Sequence, residues 1–232
     1  MKCLTLMLFV CAWTTLAQDV YIPFWSEPTA ATYTFSVDAV SSTSVADGSS
    51  ATWSHTVTAS QGNRALYVAV GFWSGYSITT VTYNGTAMSH VGTYAYESDK
   101  TVAIYRLLDP AAGTHDVYVA LSGNPYSLIV GAWSFTGVNQ TSPNGSWCQS
   151  AGYASTAELS VSSSSGDICI GITVANEFGG TVGGGQTRDW WLQPDMDGAG
   201  IRGTASGASL TLSITCDGER TYVFGGVAVK GN

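Results

Sequence analysis

Val81-Thr-Tyr-Asn-Gly-Thr-Ala-Met-Ser-His-Val-Gly92, VTYNGTAMSHVG, decides the fold class. Asn-Gly between two runs of β-branched and aromatic residues is the strongest short-range hairpin signal, because both central positions of a type I′ turn need φ > 0. Closure at Asn84-Gly85 pairs Tyr83 with Thr86 and puts Val81 opposite Met88 on one apolar face. The same register carries His90 to the Met88 face, opposite Thr79, unless a bulge intervenes. There it reads as a half-buried histidine satisfied by a hydroxyl rather than as a catalytic group.

Outward from this hairpin the chain repeats one theme. TYTFSVDAV (32–40) alternates Tyr33, Phe35 and Val37 against Thr32, Thr34 and Ser36, the period-2 pattern of a half-buried strand. TWSHTVTA, RALYVAVGFW, TVAIYRLL, THDVYVAL and SLIVGAWSF follow as strand-length runs, and AELSVSS, DICIGITVA, ASLTLSIT and TYVFGGVAV continue them. Turn clusters at 46–50, 61–63, 109–113 and 122–125 separate the earlier runs. About a dozen or more strands without crossover helices predict an all-β, antiparallel sandwich or barrel, with no significant helix after the N-terminal segment.

Composition agrees and narrows function. The 232 residues are 45% hydrophobic but only 10% charged, and 27 glycines fit short strands joined by tight turns. Eight Lys+Arg against 16 Asp+Glu leave a net charge of −8 and no basic stripe for phosphates. Nucleic acid and an anionic membrane surface are therefore poor partners.

MKCLTLMLFVCAWTTLAQDV has one lysine, an apolar run and Thr15-Leu16-Ala17, the form of a secretory signal over 1–17 cleaved after Ala17. Its apolar stretch of about 14 residues is short of the ~20 that a membrane span requires. Residues 18–31 carry Val20, Tyr21, Ile22, Phe24 and Trp25 with no period, and read as an extended arm before a single domain over 32–232. Such an arm is a candidate for strand addition to a second copy. In an oxidising compartment Cys148, Cys169 and Cys216 predict one disulfide and a leftover thiol, the pairing left open.

TWSHTV, NRALYVAV, VTYNGTAM, IYRLLDPAAGTHDVYV and GAWSFTGVNQTSP follow one another in a set order. With SGDICIGITVA, VGGGQTRDWW, IRGTASG and YVFGGVAVKG, the series over about residues 33–230 resembles a β-sandwich domain recurrent in secreted bacterial proteins and phage virion proteins. The resemblance implies an antiparallel two-sheet sandwich, jelly-roll-like, and carries over no catalytic residues.

The remaining side chains offer little chemistry. His55, His90 and His115 are not brought together by sequence, and no G-x-S-x-G elbow accompanies the serines. Glu97, Asp99, Asp167, Glu177, Asp189, Asp195 and Asp197 lie near expected turns, where acids solvate loops. Asp195-Met-Asp197-Gly198 has part of a calcium-loop pattern but lacks its third acid and distal glutamate. No cofactor and no catalytic residue are expected. Aromatics are the stronger signal: Trp73, Tyr76, Trp190 and Trp191 near loops are candidate platforms for sugar faces. The sequence thus predicts a secreted, non-enzymatic structural or adhesive subunit, working through self-association or surface glycans, with a carbohydrate-binding module as the alternative.

Overall fold

In the computed structural model, which describes residues 33–59, 62–73, 75–97 and 99–232, the turn closes as its sequence dictates. Asn84 and Gly85 have φ of 49° and 73°, and Tyr83 pairs with Thr86. A Cβ at Gly85 would meet nothing within 4 Å, so only the backbone demands glycine there. Gly85→Val should lower the unfolding free energy by about 1–2 kcal/mol, the usual cost of forcing an L-residue left-handed. Urea denaturation of the variant checks this.

Fifteen strands follow one another: β1 (Ser36–Ala46), β2 (Ser50–Val57), β3 (Ala65–Trp73), β4 (Ile78–Tyr83), β5 (Thr86–Ala87), β6 (Ser89–Tyr96), β7 (Lys100–Leu108), β8 (Gly113–Leu121), β9 (Ser127–Thr136), β10 (Cys148–Ser162), β11 (Ile168–Ala175), β12 (Phe178–Val182), β13 (Gln186–Leu192), β14 (Asp197–Thr204) and β15 (Ser209–Val229). All pairings are antiparallel and the described residues contain no helix. The sandwich carries three sheets where the resemblance implies two. A front sheet runs β2-β8-β4-β5, a central sheet β1-β9-β3-β7-β6, and a back sheet β10-β15-β11-β14-β13 with β12 against β15. Up to β9 the chain passes repeatedly between front and central sheets, and the strands from β10 onward build the back sheet.

Burial explains why the third sheet was not legible. β3, β9 and β11 read as continuous apolar runs, and their residues are buried almost throughout. That is the mark of strands covered on both faces. Leu66, Val68 and Val70 of β3 face the front sheet, and Tyr67 and Ala69 face the back one. A third core lies behind the back sheet. Past a bulge at Ala154/Thr156, the far halves of β10 and β15 fold back over it, so Leu159, Leu212 and Ile214 pack with Ile201 and Phe224.

Two tryptophans set the spacing between central and back sheets. Trp190 is seated on Gly131 of β9 and Gly200 of β14, where a Cβ would come within 2.3 and 2.2 Å of its ring. Trp147 fills the same gap over Gly92 and Gly225. Only glycine lets two backbones close on an indole this tightly.

His90 departs from its expected place. Met88 N–H still donates to Val81 O at 3.0 Å, but from Ser89 the chain leaves the front sheet and joins the central one as β6. There His90 pairs with Tyr105, not Thr79, and is exposed, its Nε2 2.7 Å from Thr93 Oγ1. The switch lets Val91, Tyr94 and Tyr96 pack against the core between central and back sheets, which a longer hairpin would leave wet. The segment 1–17 and the arm with Val20, Tyr21, Ile22, Phe24 and Trp25 lie outside the described residues.

Candidate recognition surface

The four aromatic candidates do not converge. Trp190 is 5% exposed, its ring 4.1 Å from that of Trp133, so it is a core residue and not a sugar platform. The bulge at Asp189 in β13 turns Trp190 inward. Asp189 itself is a strand residue rather than a turn acid, with its side chain 4% exposed. It accepts from Trp133 Nε1 at 2.7 Å and from Arg202 Nε at 2.9 Å. Burial pushes its carboxyl upward against the pull of those two donors. Trp191 is half-buried under the Arg188 guanidinium, 4.5 Å from its ring centroid. Trp73 packs toward the core between central and back sheets with Lys100 Nζ 4.6 Å over its ring. Tyr76 alone stands open, 40% exposed.

Asp195 and Asp197 do not form a cation loop. Asp195 is exposed, whereas buried Asp197 spends its Oδ2 as acceptor for Phe178 N–H (2.8 Å), Gln193 Nε2 (3.0 Å) and Trp191 Nε1 (3.3 Å). No group of three or more His, Cys, Asp or Glu side chains among the described residues could hold a metal ion.

The expected disulfide is absent, and Cys148, Cys169 and Cys216 are free. Cys148 lies opposite Gly226, and Cys169 opposite Ala228, on the two sides of the same strand β15. Two strand spacings put their Cα atoms roughly 10 Å apart, beyond the ~7 Å that a bridge tolerates. Cys216 pairs with Phe178 on the folded-back half of β15, away from both. Burial pushes the Cys169 thiol up to about 11 and raises that of Cys216, as befits inert core residues.

The densest polar cluster was not legible in sequence. His55 and His115 are direct partners across β2 and β8, and both rings meet Tyr83 edge-on, with centroids at 6.4 and 5.6 Å. His55 is 1% exposed. Its Nδ1 lies 2.7 Å from Ser41 Oγ, which also receives Trp53 Nε1–H at 2.9 Å. That oxygen therefore joins Trp53 and His55, and the direction of its bond to Nδ1 follows the imidazole tautomer. Burial pulls the His55 pKa down to about 4, against an upward pull from Asp38. Asp38, the extra residue of a bulge in β1, accepts from Ser134 Oγ and from Thr58 N–H and Oγ1. A hydroxyl hydrogen-bonded to an imidazole is the skeleton of a nucleophile–base pair. A base held near pKa 4 is weak at neutral pH, however, and here the pair ties β1 to β2.

Above this cluster the front sheet turns a hydroxyl-rich face to solvent. Alternation sends Ala51, His55 and Val57 inward and Ser50, Thr52, Ser54 and Thr56 outward. Thr52, Tyr118 and Thr82 form one cross-strand row, and Ser54 and Asp116 another, joined by a 3.2 Å hydrogen bond. Thr56 and Thr114 close a third row at 2.7 Å. Thr52, Thr82, Thr114, His115, Asp116 and Tyr118, with Asn84 and Gly85 of the hairpin, border an open groove of about 530 Å³, with Tyr118 37% exposed. The cue in sequence was the alternating Ser and Thr of β2, with Thr80 and Thr82 of β4. Which strands would be neighbours was not readable. Compared with family models, with curated proteins and with solved structures, the chain matches none, so the functional reading rests on its own residues.

Proposed function

We propose that this chain is a secreted, non-enzymatic structural or adhesive subunit whose contact surface is the outer face of the front sheet. The observation that carries the reading is the groove itself. Hydroxyls, one amide, one carboxylate, one imidazole and one open tyrosine ring are laid out in register on a sheet backed by a buried core. Such a surface is rigid, nearly uncharged and rich in hydrogen-bonding groups, which suits contact with another polar surface. The signal-like N-terminus and the resemblance over residues 33–230 point to an extracellular place of work.

Assembly of copies would come from the arm, with Val20, Tyr21, Ile22, Phe24 and Trp25 adding as a strand to the sheet edge of the next copy. Negative-stain microscopy and light scattering of the secreted protein test this. Filaments or high-mass species are expected from the full chain and only monomers after deletion of residues 18–31. High-mass species that survive the deletion overturn the arm, and monomers throughout overturn the assembly.

A second reading, glycan binding by the same groove, is favoured by Tyr118 flanked by Asp116 and Asn84. An aromatic face beside an acid and an amide is the usual equipment for stacking on a sugar and reading its hydroxyls. A glycan array with the wild type and Tyr118→Ala separates the two readings.

A further inference from the structure

The front sheet does not cover all of the central one. On β6 the side chains facing the front sheet, His90, Thr93 and Ala95, are exposed, while Val91, Tyr94 and Tyr96 on the other face pack into the core. Over this uncovered strip the loop after β3 brings in Tyr76, leaving a cleft of about 280 Å³. Its floor and walls are Phe72, Ile78, Ala95 and Tyr105, and its polar groups are the hydroxyls of Ser77, Thr93 and Thr101. No charged side chain lines it.

Two features make the cleft a built site rather than a crease. Tyr76 is held in place: a Cβ on Gly123 would come within 2.4 Å of its ring, so the ring rests directly on that backbone. The opposite wall is held too. His90 meets Tyr105 edge-on at 5.2 Å and ties its Nε2 to Thr93 Oγ1. Two tyrosine rings and the Thr93 hydroxyl are thereby held before any ligand arrives.

We propose that this cleft binds a single neutral sugar ring bearing a methyl group, a 6-deoxyhexose or an N-acetylhexosamine. The site is separate from the groove of the front sheet and does not depend on it. Its volume lies just below the usual range of ligand pockets, about 300–1,000 Å³, so one ring is the fitting size. Tyrosine faces pack against the C–H face of a sugar ring. The apolar floor then discriminates. A hydroxyl pressed onto Phe72, Ile78 and Ala95 would lose its water partners without replacement, whereas a methyl there gains burial. An acidic sugar would bring a carboxylate to a cleft with no cation to pair it.

The test is titration of isotope-labelled protein with L-fucose, N-acetylglucosamine, galactose and sialic acid, followed by amide shifts. Saturable shifts at Thr93, Ala95 and Thr101 are expected with the first two sugars, at least tenfold weaker with the last two. Tyr76→Ala should abolish them, Tyr76→Phe should keep them, and Tyr118→Ala should leave them unchanged. Absence of saturable shifts with any sugar, or equal affinity for galactose, overturns the proposal. Shifts confined to Thr82, Asn84 and Tyr118 overturn it as well, while supporting glycan binding in the groove.

Discussion

Trp190→Ala should lower the unfolding free energy by about 3–5 kcal/mol, the range for removing a buried aromatic side chain. The indole spans the gap between central and back sheets and rests on glycine on both sides, so little can collapse into the space it leaves. The reverse experiment isolates the cause. Gly200→Ala keeps the tryptophan but puts a methyl 2.2 Å from its ring, and Gly131 behind it leaves the ring no retreat. Overpacking of this kind costs typically about 1–3 kcal/mol. The double variant Trp190→Ala/Gly200→Ala should be less destabilised than the two single effects summed, because the added methyl occupies part of the cavity. Denaturant titration of all three proteins checks this, and strict additivity would show that indole and glycine do not share one space.

The second large effect is on pH dependence. His55 is neutral in the fold with a pKa near 4, whereas in the unfolded chain it protonates near the ordinary 6.5. Between these values the unfolded state binds more protons. Stability from this residue is therefore complete above about pH 6.5 and is lost as pH falls toward 4, by roughly 3 kcal/mol. The groups facing it are Asp38, His115, Tyr83 and Ser41, of which Asp38 alone opposes the shift by favouring the cation. Carboxylates also titrate at the low end, so the informative quantity is the difference between wild type and His55→Leu. The variant should show a flatter stability profile between pH 6.5 and 4. Parallel profiles for wild type and His55→Leu would mean that the imidazole is not buried neutral.

Local chemistry was legible wherever a residue's role is decided by its immediate neighbours. Asn84-Gly85 needs a left-handed turn whatever surrounds it, and the alternation in β2 assigns Ser54 outward and His55 inward without any knowledge of partners. Tyr76 was readable as an open loop aromatic for the same reason. Trp190 was not, because a single bulged residue, Asp189, reverses which face a strand presents, and sequence carries no mark of that extra residue.

Pairings between distant strands lie beyond such reading. His55 meets His115, Cys148 is held apart from Cys169, and His90 changes sheets, each through contacts between residues remote in the chain. The sequence by itself determined that this protein is an antiparallel β structure with tight turns, because backbone φ, side-chain alternation and glycine placement act within a few residues. Only the tertiary structure decided that the sandwich has three sheets, that its described tryptophans are all buried or half-buried, and that an uncovered strip of β6 becomes a cleft. Those outcomes depend on which apolar faces find one another, and burial against a partner is a property of the pair, not of either strand alone.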